Sequence, residues 1–505
     1  MIDPLIVGAD TTRPLDCLFV NAPLRDYAER PRANDFTLPV LGMAYIATFA
    51  AAQGFNVGVL DAEAYGLGIS AAAKIVNDAE PRWAGLNLLA PTYELSAGIA
   101  EQLDPRISLV LGGHHARALP SDILHDQRMA HCEALIIGEA ETRVTELLHD
   151  LDNRTKLPGV MWRDAATGRI RVNNPEKGHR HLAPDINAMP FVNRTYLPQD
   201  PFWTPEGRLE AAMVGARGCP YDCSFCGAAV SANPDVTIRT RHPDNIIGEM
   251  FTLREELGVT VFRFVDDLFL GAHRVIKTMM SAFRAENIGK DLSWDATGRI
   301  NVLHRESDET LELLAANGLR EVALGIESGS DRMLSRIDKR ITREMTKDTV
   351  RRLLRQGINV KGYFILGMPS ETREETDATV RLVKELWTMA DEIEGGTFRA
   401  SVFEYRPYPG TLDWQRLVAE GKYRREELLA YTAVDLTSDG SDESMRARDE
   451  FNFSVNLQFC ESPVSYLRER LVELTRLQFE RKPARLVRAH TELPQNRTPV
   501  SQRGS

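Results

Sequence analysis

The sequence predicts an α/β protein in three parts: an N-terminal doubly wound, Rossmann-like parallel sheet, a partial (β/α) barrel of about six units, and a mostly helical C-terminal region. Two observations support this prediction. Short apolar runs alternate with helical patterns through residues 14–150 and again through 211–410, as they do when helices cover both faces of a parallel sheet. With 505 residues, the chain is also too long for a single hydrophobic core.

The first series predicts a Rossmann-like domain of residues 1–155. Its apolar runs are short enough for buried strands, and the patterns between them have helical spacing. The strand candidates are 16–20, 56–60, 83–89, 107–111 and 134–137, and the helix candidates are 39–53, 70–79, 94–103 and 141–151. Ligands of such sheets bind beyond the carboxyl ends of the strands, so the residues that follow each strand are the candidate binding residues.

Residues 156–208 are predicted to be a hairpin and linker, because 158–173 turn at 166–168 and the stretch after them lacks periodicity.

The second series then predicts a barrel of residues 209–410. Its strand candidates are 211–215, 259–265, 292–296, 321–326, 360–366 and 401–405. Right-handed crossovers curl such units into a barrel whose active site lies at the strand ends.

The C-terminal region, 411–505, is predicted to be mostly helical, with one helix near 464–479 and a frayed polar tail. The longest apolar stretch, 41–52, falls short of the roughly 20 residues that cross a membrane. The N-terminus has no basic region followed by an apolar core, which predicts a cytoplasmic, reducing location.

Composition excludes some classes of function. A net charge of −11 opposes a broad phosphate-binding surface, so we expect no nucleic-acid partner and no membrane partner. Six cysteines in a chain of this length do not form a disulfide framework, and three of them lie within eight positions. This clustering predicts a metal site.

The three clustered cysteines are Cys219, Cys223 and Cys226, and they follow a predicted strand that ends near Gly215 and Gly218. Thiolates from one tight loop can converge on an iron-sulfur cluster. Three protein ligands would leave one iron of a four-iron cluster open for another ligand.

The alternative is a structural zinc site in a protein without catalytic activity. Zinc in such sites takes four ligands, often from paired Cys-x-x-Cys units. The remaining cysteines, Cys17, Cys132 and Cys460, are isolated on other elements, and His242 could serve only as a distant fourth ligand. A non-catalytic iron-sulfur protein is the other form of this alternative.

The spacing of these cysteines, with the aromatic residue Phe225 next to the last of them, resembles the motif of the radical S-adenosylmethionine (SAM) superfamily. Further motifs at 325–330, 362–369 and 408–411 resemble those of the family in the same order. The resemblance implies a [4Fe-4S] cluster whose open iron is chelated by the amino and carboxylate groups of SAM, and a 5′-deoxyadenosyl radical. It also implies an external electron donor such as flavodoxin or ferredoxin.

The same resemblance implies contacts to SAM. Glu327 and Ser328 would hydrogen-bond its ribose or methionine part, and the backbone from Ile365 to Gly367 would pack on adenine. Arg299 is a candidate partner of the methionine carboxylate, since guanidinium binds carboxylate in a planar fork. The alternative for Arg299 is a surface ion pair.

No catalytic residue is identified by the sequence. Asp266 and Asp267 follow an apolar run. One of them is expected to orient the cofactor or the substrate. The alternative is that it caps the next helix. Asp267 and Tyr405 are candidate proton acceptors if the reaction needs one.

An N-terminal domain of this kind, placed before such a barrel, resembles the cobalamin-binding class of the superfamily. Glycines at strand ends would let a flat corrin approach the backbone. The candidate cobalamin-binding residues are Thr92, Gly112, Gly113, His114, Gly138 and Glu139.

One feature departs from other cobalamin proteins, because the motif Asp-x-His-x-x-Gly is absent after the first strand. Residues 61–66 have its outline but lack the His. His114 or His115 could approach the corrin instead, although a solvated histidine pair is the simpler alternative. The domain could also be a scaffold that no longer binds cobalamin.

The leading hypothesis is therefore a radical SAM enzyme that uses cobalamin to methylate an unactivated carbon, with the cofactors supplying the chemistry. Its substrate would be a small molecule or peptide in specialised metabolism, such as antibiotic biosynthesis. The alternative is a radical dehydratase, epimerase or rearranging enzyme of the same architecture that transfers no methyl group.

Overall fold

The computed structural model describes residues 2–29, 37–173, 183–204, 206–232, 238–433 and 453–481. Within these ranges the chain forms two seven-stranded sheets and two short two-stranded ribbons. The predicted α/β fold class is confirmed. The predicted frayed tail and residues 174–182 of the predicted linker lie outside the described residues. The described helices include none that is both long and apolar enough to span a membrane.

The first sheet is doubly wound. Its strand order is β2-β1-β3-β4-β5-β6-β7, so the chain reverses its direction of winding between β1 and β3. Its strands are β1 (Cys17–Asn21), β2 (Val57–Asp61), β3 (Trp83–Asn87), β4 (Ser108–Gly112), β5 (Cys132–Ile136), β6 (Val160–Arg163) and β7 (Ile170–Val172). Its helices are α1 (Leu41–Ala52), α2 (Ile69–Ala79), α3 (Tyr93–Glu101), α4 (His114–Ala118), α5 (Pro120–His125) and α6 (Glu141–His149).

Alternation along β1 builds a core on each face of this sheet. Leu18 packs in a cluster with α2 and α3, while Phe19 points to the other face and packs in a cluster with α1 and α6. Only β1 to β5 are parallel. The predicted hairpin extends the sheet as β6 and β7, which pair antiparallel to β5 and to each other.

The second sheet is an open half-barrel of order β16-β15-β14-β13-β12-β9-β8. Six strands, from β9 to β16, are parallel and pair in chain order, and β8 adds an antiparallel edge from the predicted linker. The strands are β8 (Phe202–Trp203), β9 (Leu209–Met213), β12 (Val261–Phe264), β13 (Ser293–Gly298), β14 (Leu319–Glu327), β15 (Asn359–Leu366) and β16 (Phe398–Glu404).

Helices cover the outer face of the half-barrel, and the ribbons lie beside its strand ends. The helices are α7 (Pro243–Leu257), α8 (His273–Ala285), α9 (Ile288–Asp291), α10 (Ile300–Leu303), α11 (Asp308–Ala316), α12 (Asp331–Arg336), α13 (Arg343–Arg355), α14 (Arg373–Glu392), α15 (Leu412–Glu420), α16 (Arg425–Leu429) and α17 (Val464–Arg481). The ribbons pair β10 (Ala216–Arg217) with β11 (Arg239–Thr240) and β17 (Thr432–Ala433) with β18 (Phe453–Ser454).

An aromatic cluster fixes the first barrel strands. The Trp294 ring is fully buried and meets Phe264, Phe269 and Phe283 edge to face, with ring centroids 5.7–6.0 Å apart. A side chain at Gly215 would collide with the Phe269 ring, since a Cβ there would lie 2.5 Å from it. The end of β9 therefore packs directly on this cluster.

Helix α17 completes the barrel at β16. Leu467, Leu471 and Leu474 join the barrel core, and Gln478 Oε1 accepts hydrogen bonds from Ala400 N of β16 at 2.8 Å and from Trp387 Nε1 at 3.1 Å. The helix thus covers an edge strand that would otherwise expose unpaired backbone groups.

If α17 belongs to the barrel core, Leu471→Ala should lower the free energy of unfolding by about 2–5 kcal/mol, because it leaves a cavity at a fully buried site. Val472 is 40% exposed on the same helix, so Val472→Ala should change stability by less than about 0.5 kcal/mol. Chemical denaturation of both variants is the measurement. Equal effects would mean that α17 does not pack as described.

Candidate active site

The cysteine loop begins where β9 and β10 end. Gly218 has a φ of 82°, which lets the chain turn sharply before Cys219. Cys226 N donates to Cys223 O at 3.1 Å, and this closes a tight turn between the last two cysteines. Cys223 is buried, while Cys219 and Cys226 are half-buried. All three thiols therefore project from one compact loop at the mouth of the half-barrel.

The zinc alternative needs a fourth ligand, and the described residues do not group His242 with the cysteines. Among the described residues, no three His, Cys, Asp or Glu side chains are grouped to hold a single metal ion. His242 is exposed and its Nδ1 lies 3.3 Å from Asp244. An iron-sulfur cluster distributes its thiolates over separate irons, so its ligands need not converge on one point.

Burial raises the pKa of two of the cluster thiols. It raises the pKa of Cys226 to about 12 and raises that of Cys219 as well. Both groups are then protonated near pH 7 in the absence of a metal. A cluster would bind them as thiolates and release those protons.

Asp266 holds the base of the cysteine loop. Its carboxylate accepts hydrogen bonds from Gly215 N and Ala216 N, both at 2.9 Å. Burial raises the pKa of Asp266 to about 8, although the two N–H groups favour its charged form. The alternative role as a helix cap is wrong for both aspartates, since α8 begins at His273 with Ala272 as its N-cap.

Two segments hold the outer side of the loop. Ser224 N donates to Ile337 O at 3.2 Å, and the Cys223 thiol lies 3.8 Å from Asp338 O. Ser224 also exchanges hydrogen bonds with Asp413 at the start of α15: Asp413 N donates to Ser224 O at 2.9 Å, and Ser224 Oγ donates to Asp413 Oδ2 at 3.1 Å. No sequence motif had indicated Asp413.

Arg299 lies beside the cluster loop and is buried, so its alternative as a surface ion pair is wrong. Nη1 donates to Cys223 Sγ at 3.6 Å and Nη2 donates to Lys339 O at 2.7 Å. Its guanidinium stacks over the Tyr221 ring at 3.5 Å. These contacts favour a role in holding Cys223, and the methionine carboxylate contact stays a prediction.

Glu327 forms a buried ion pair that the sequence did not reveal. Lys339 Nζ donates to Glu327 Oε1 at 2.6 Å, and Glu327 adopts a φ of 67° at a bulge in β14. A Cβ at Gly325 would lie 2.3–2.4 Å from both charged groups, so glycine is required there. Within the described part of the chain, Glu327 Oε2 makes no hydrogen bond, which leaves it available to a ligand hydroxyl.

Ser328 is directed away from the barrel mouth. Its hydroxyl lies 3.3 Å from Thr379 Oγ1 of α14 and accepts from Ser330 N at 3.1 Å. These contacts favour a structural role for its side chain. Its predicted contact with SAM stays a prediction.

The end of β15 forms an apolar wall next to the cysteine loop. Ile365 packs in one cluster with Phe225, Met368 and Tyr405. Gly367 has a φ of 88°, and a Cβ there would lie 2.6 Å from Leu467 of α17. The predicted packing of adenine on this backbone stays a prediction, but the flat, apolar surface suits it.

Tyr405 is buried in that wall, and its hydroxyl has no hydrogen-bond partner among the described residues. Burial raises the pKa of Tyr405 well above its ordinary value. A phenol in this environment stays protonated, which disfavours Tyr405 as the proton acceptor.

The carboxyl ends of both sheets face one cleft. His114 follows β4 of the first sheet and Asp267 follows β12 of the second, and each feels the charge of the other. Asp267 also acts on Cys219 and Cys226. Water reaches both side chains, but surrounding atoms displace bulk solvent, so burial lowers the pKa of His114 and raises that of Asp267.

Other predicted cobalamin residues differ in their surroundings. A Cβ at Gly112 would find open space, with Ile136 O as its nearest neighbour at 3.9 Å. At Gly113, whose φ is 97°, a Cβ would lie 2.3 Å from Asn87 Oδ1, so the close approach of β3 and β4 explains this glycine. Gly138 has a φ of 94° at the end of β5, which explains it as a turn.

Thr92 and His115 are buried beside α3. Thr92 lies in a short 3-10 turn after β3. His115 packs on the Tyr93 ring with centroids 4.7 Å apart, and burial lowers its pKa to about 4. His114 is therefore the histidine of this pair that faces the cleft.

Glu139 links the two domains. Its carboxylate forms ion pairs with Arg217, at 2.6 Å, and with Arg239. Glu141 also pairs with Arg217 at 2.7 Å, and Arg217 lies over the Tyr45 ring at 5.1 Å. Because Arg217 is two residues before Cys219, these contacts tie the first domain to the cysteine loop.

A half-barrel with three loop thiols at its mouth, facing a doubly wound domain across a cleft, defines a radical enzyme with a second cofactor domain. Residues 213–383 match the family model of the radical SAM superfamily, and residues 34–148 match that of the B12 binding domain. The chain therefore contains a B12 binding domain followed by a radical SAM domain. These domains bring a [4Fe-4S] cluster, SAM and cobalamin as cofactors.

Known proteins agree with this assignment. The chain is 29% identical over 408 residues to an uncharacterized methyltransferase, PH0819, of Pyrococcus horikoshii, covering 79% of this chain and 83% of that protein. Its fold is similar to TsrM, a radical SAM methyltransferase from Kitasatospora setae solved with cobalamin and a [4Fe-4S] cluster, with a TM-score of 0.57 and 18% identity over 84% of this chain and 78% of TsrM.

OxsB, a cobalamin-dependent SAM radical enzyme solved with aqua-cobalamin, has a similar fold with a TM-score of 0.55 and 16% identity. The match covers 76% of this chain and 53% of OxsB, so the chain spans about half the length of that protein.

Because Glu139 forms ion pairs with Arg217 and Arg239, we expect Glu139→Gln to affect stability rather than cobalamin binding. The substitution should lower the free energy of unfolding by about 1–3 kcal/mol, since it removes the negative charge that Arg217 and Arg239 share. Binding of hydroxocobalamin, measured by absorbance titration, should be unchanged. Weaker binding with unchanged stability would instead make Glu139 a cobalamin contact.

Glu371 should make the stability of the folded protein depend on pH. Glu371 Oε2 accepts from Gly367 N at 2.9 Å and Met368 N at 2.8 Å, and burial raises the pKa of Glu371 from 4.5 to about 7. The folded state then binds more protons than the unfolded state between these pH values, so stability falls as pH rises through them.

Glu371→Gln should remove this dependence while its amide oxygen still accepts from the backbone. The stability of the wild type relative to the variant should fall by about 3 kcal/mol between pH 4 and pH 8. Denaturation of both proteins across this range is the measurement, and parallel pH profiles would contradict it.

Proposed function

We propose that this chain is a cobalamin-dependent radical methyltransferase that methylates an unactivated carbon of a small molecule. The observation that supports this most directly is the common cleft, in which Asp267 of the half-barrel acts on His114 of the B12 binding domain and on the cluster cysteines Cys219 and Cys226. Methyl transfer to a carbon radical needs both cofactors at one substrate. A chain with this arrangement can bring them together.

When bound, the cluster and SAM supply a hydrogen-abstracting radical, and cobalamin supplies the methyl group taken from a second SAM. The protein's part is to bind, orient and exclude water. Glu327 Oε2 is placed to accept from a hydroxyl, and the apolar wall of Phe225 and Ile365 is placed to pack on a flat ring. Asp266 and Arg299 keep the cluster loop in position.

Methyl transfer to a carbon radical does not require a general base. Where a proton must be removed, Asp267 is the better candidate, because it faces the cleft while Tyr405 is buried and stays protonated. A carboxylate whose pKa is raised by burial is a stronger proton acceptor than an ordinary carboxylate.

The similarity to PH0819 and TsrM, both named as methyltransferases, supports the same assignment. A specialised metabolite or peptide is the proposed substrate class. The reaction also needs a reductant, for which flavodoxin or ferredoxin is the proposed protein donor.

The test is anaerobic reconstitution with iron, sulfide and hydroxocobalamin, followed by incubation with SAM and reductant. We expect about four irons and one cobalt per chain, and formation of both 5′-deoxyadenosine and S-adenosylhomocysteine. Cobalamin should be required for the second product. Only 5′-deoxyadenosine, with or without cobalamin, would favour a radical dehydratase, epimerase or rearranging enzyme.

Cysteine variants provide the matched control. Cys226→Ala should lose bound iron and both products, because it removes one cluster ligand. Cys132→Ala lies in β5 of the first sheet and should retain iron and both products. Retention of iron and SAM cleavage by Cys226→Ala would contradict the assignment of the cluster.

A further inference from the structure

The cysteine loop has an inner side, toward the cleft, and an outer side, toward solvent. On the outer side lie the turn after α12 and the start of α15. The turn contacts the loop through Ile337 O and Asp338 O, and α15 contacts it through Asp413. These segments therefore connect the cysteine loop to the protein surface near Asp338, whose side chain is 44% exposed.

Three arginines surround this path. Arg340 is bound to Asp338 by two hydrogen bonds, at 3.0 and 2.8 Å, and its side chain is 57% exposed. Arg336 and Arg416 share the same oxygen of Asp413, at 3.4 and 3.3 Å, and the side chain of Arg416 is 53% exposed. We call Arg336, Arg340 and Arg416 the arginine patch. The patch lies directly outside the cysteine loop, because its partner Asp338 contacts Cys223 and its partner Asp413 binds Ser224.

The patch is positive even though the chain carries a net charge of −11. Three arginines face two carboxylates, and the side chain of Asp413 has no exposure to solvent. Local positive charge in an acidic protein selects acidic partners by steering their approach, while the rest of the surface repels them.

We propose that the arginine patch docks a small acidic one-electron carrier protein, and that the electron enters the cluster through the turn over Cys223. The proposal rests on the proposed function. The reduced carrier is oxidised by one electron and the cluster is reduced by one, and no bond or proton changes hands. The thiol of Cys223 lies 3.8 Å from Asp338 O, in the turn that carries Arg340 of the patch.

The test compares two charge-reversal variants of equal net charge. Arg340→Glu with Arg416→Glu alters the patch. Arg355→Glu with Arg381→Glu is the control, because Arg355 and Arg381 are exposed on α13 and α14, and Arg355 ends α13 just before β15 begins, at the opposite end of the barrel.

Three quantities are measured on reconstituted protein: the Kd for an acidic flavodoxin, the rate at which reduced flavodoxin bleaches the cluster absorbance, and 5′-deoxyadenosine formed with dithionite. The patch variant should bind flavodoxin at least about tenfold more weakly at low salt and be reduced correspondingly more slowly. Its reaction with dithionite should match that of the wild type, and the control variant should match the wild type in all three. Added salt should remove most of the difference between proteins.

Equal flavodoxin binding by the wild type and the patch variant would overturn the proposal, as would an equal loss in the control variant. If the charge-reversal variant has a lower iron content, the double variant Arg340→Gln with Arg416→Gln is used instead. It should also bind flavodoxin more weakly and be reduced more slowly. Absence of 5′-deoxyadenosine with dithionite in the wild type would contradict the proposed function, while the binding measurements would still decide whether the patch docks the carrier.

Discussion

The carboxylate of Asp266 binds the backbone N–H groups of Gly215 and Ala216, where the first barrel strand ends and the cysteine loop begins. The loop has little regular structure, so its shape depends on contacts from outside it. Asp266 fixes its base, Arg299 holds Cys223 from within the barrel, and Asp413 holds Ser224 from the surface. Each contact is buried, where an unmade hydrogen bond costs about 1–3 kcal/mol. These contacts hold the loop from its base, from the barrel and from the start of α15.

The same constraint extends into the first domain. Arg217 lies between Ala216, whose N–H binds Asp266, and Cys219 along the chain. It binds Glu139 of the β5–α6 loop and Glu141 at the start of α6. A shift of the B12 binding domain would therefore act on the cysteine loop through a rigid, charged contact. This explains how two domains with separate cores can keep their strand ends at a fixed distance across the cleft. The ion pairs also give Glu139 a structural role that does not depend on contact with a cofactor.

The sequence predicted the parallel strands well, because alternating apolar runs reflect burial on both faces of a sheet. It missed the antiparallel strands β6, β7 and β8 as parts of the two sheets, since short edge strands carry little periodicity. Motif spacing located the three cysteines and Glu327. It could not reveal Lys339 or Asp413, because pairing between residues distant in sequence leaves no local pattern. Arg299 and Gly113 were predicted as ligand contacts, and the structure shows protein partners that account for both.

Two requirements meet at the cysteine loop and oppose each other. Radical chemistry needs a site from which water is excluded, and the protein around His114 and Asp267 displaces solvent only in part. Electron delivery needs a path to solvent, which a fully enclosed loop would block. The contacts of the cysteines differ: Cys219 and Cys226 feel the charge of Asp267, while Cys223 contacts Asp338 O in the turn that carries Arg340. A loop of three cysteines held by its flanks, rather than buried whole, satisfies both requirements at once.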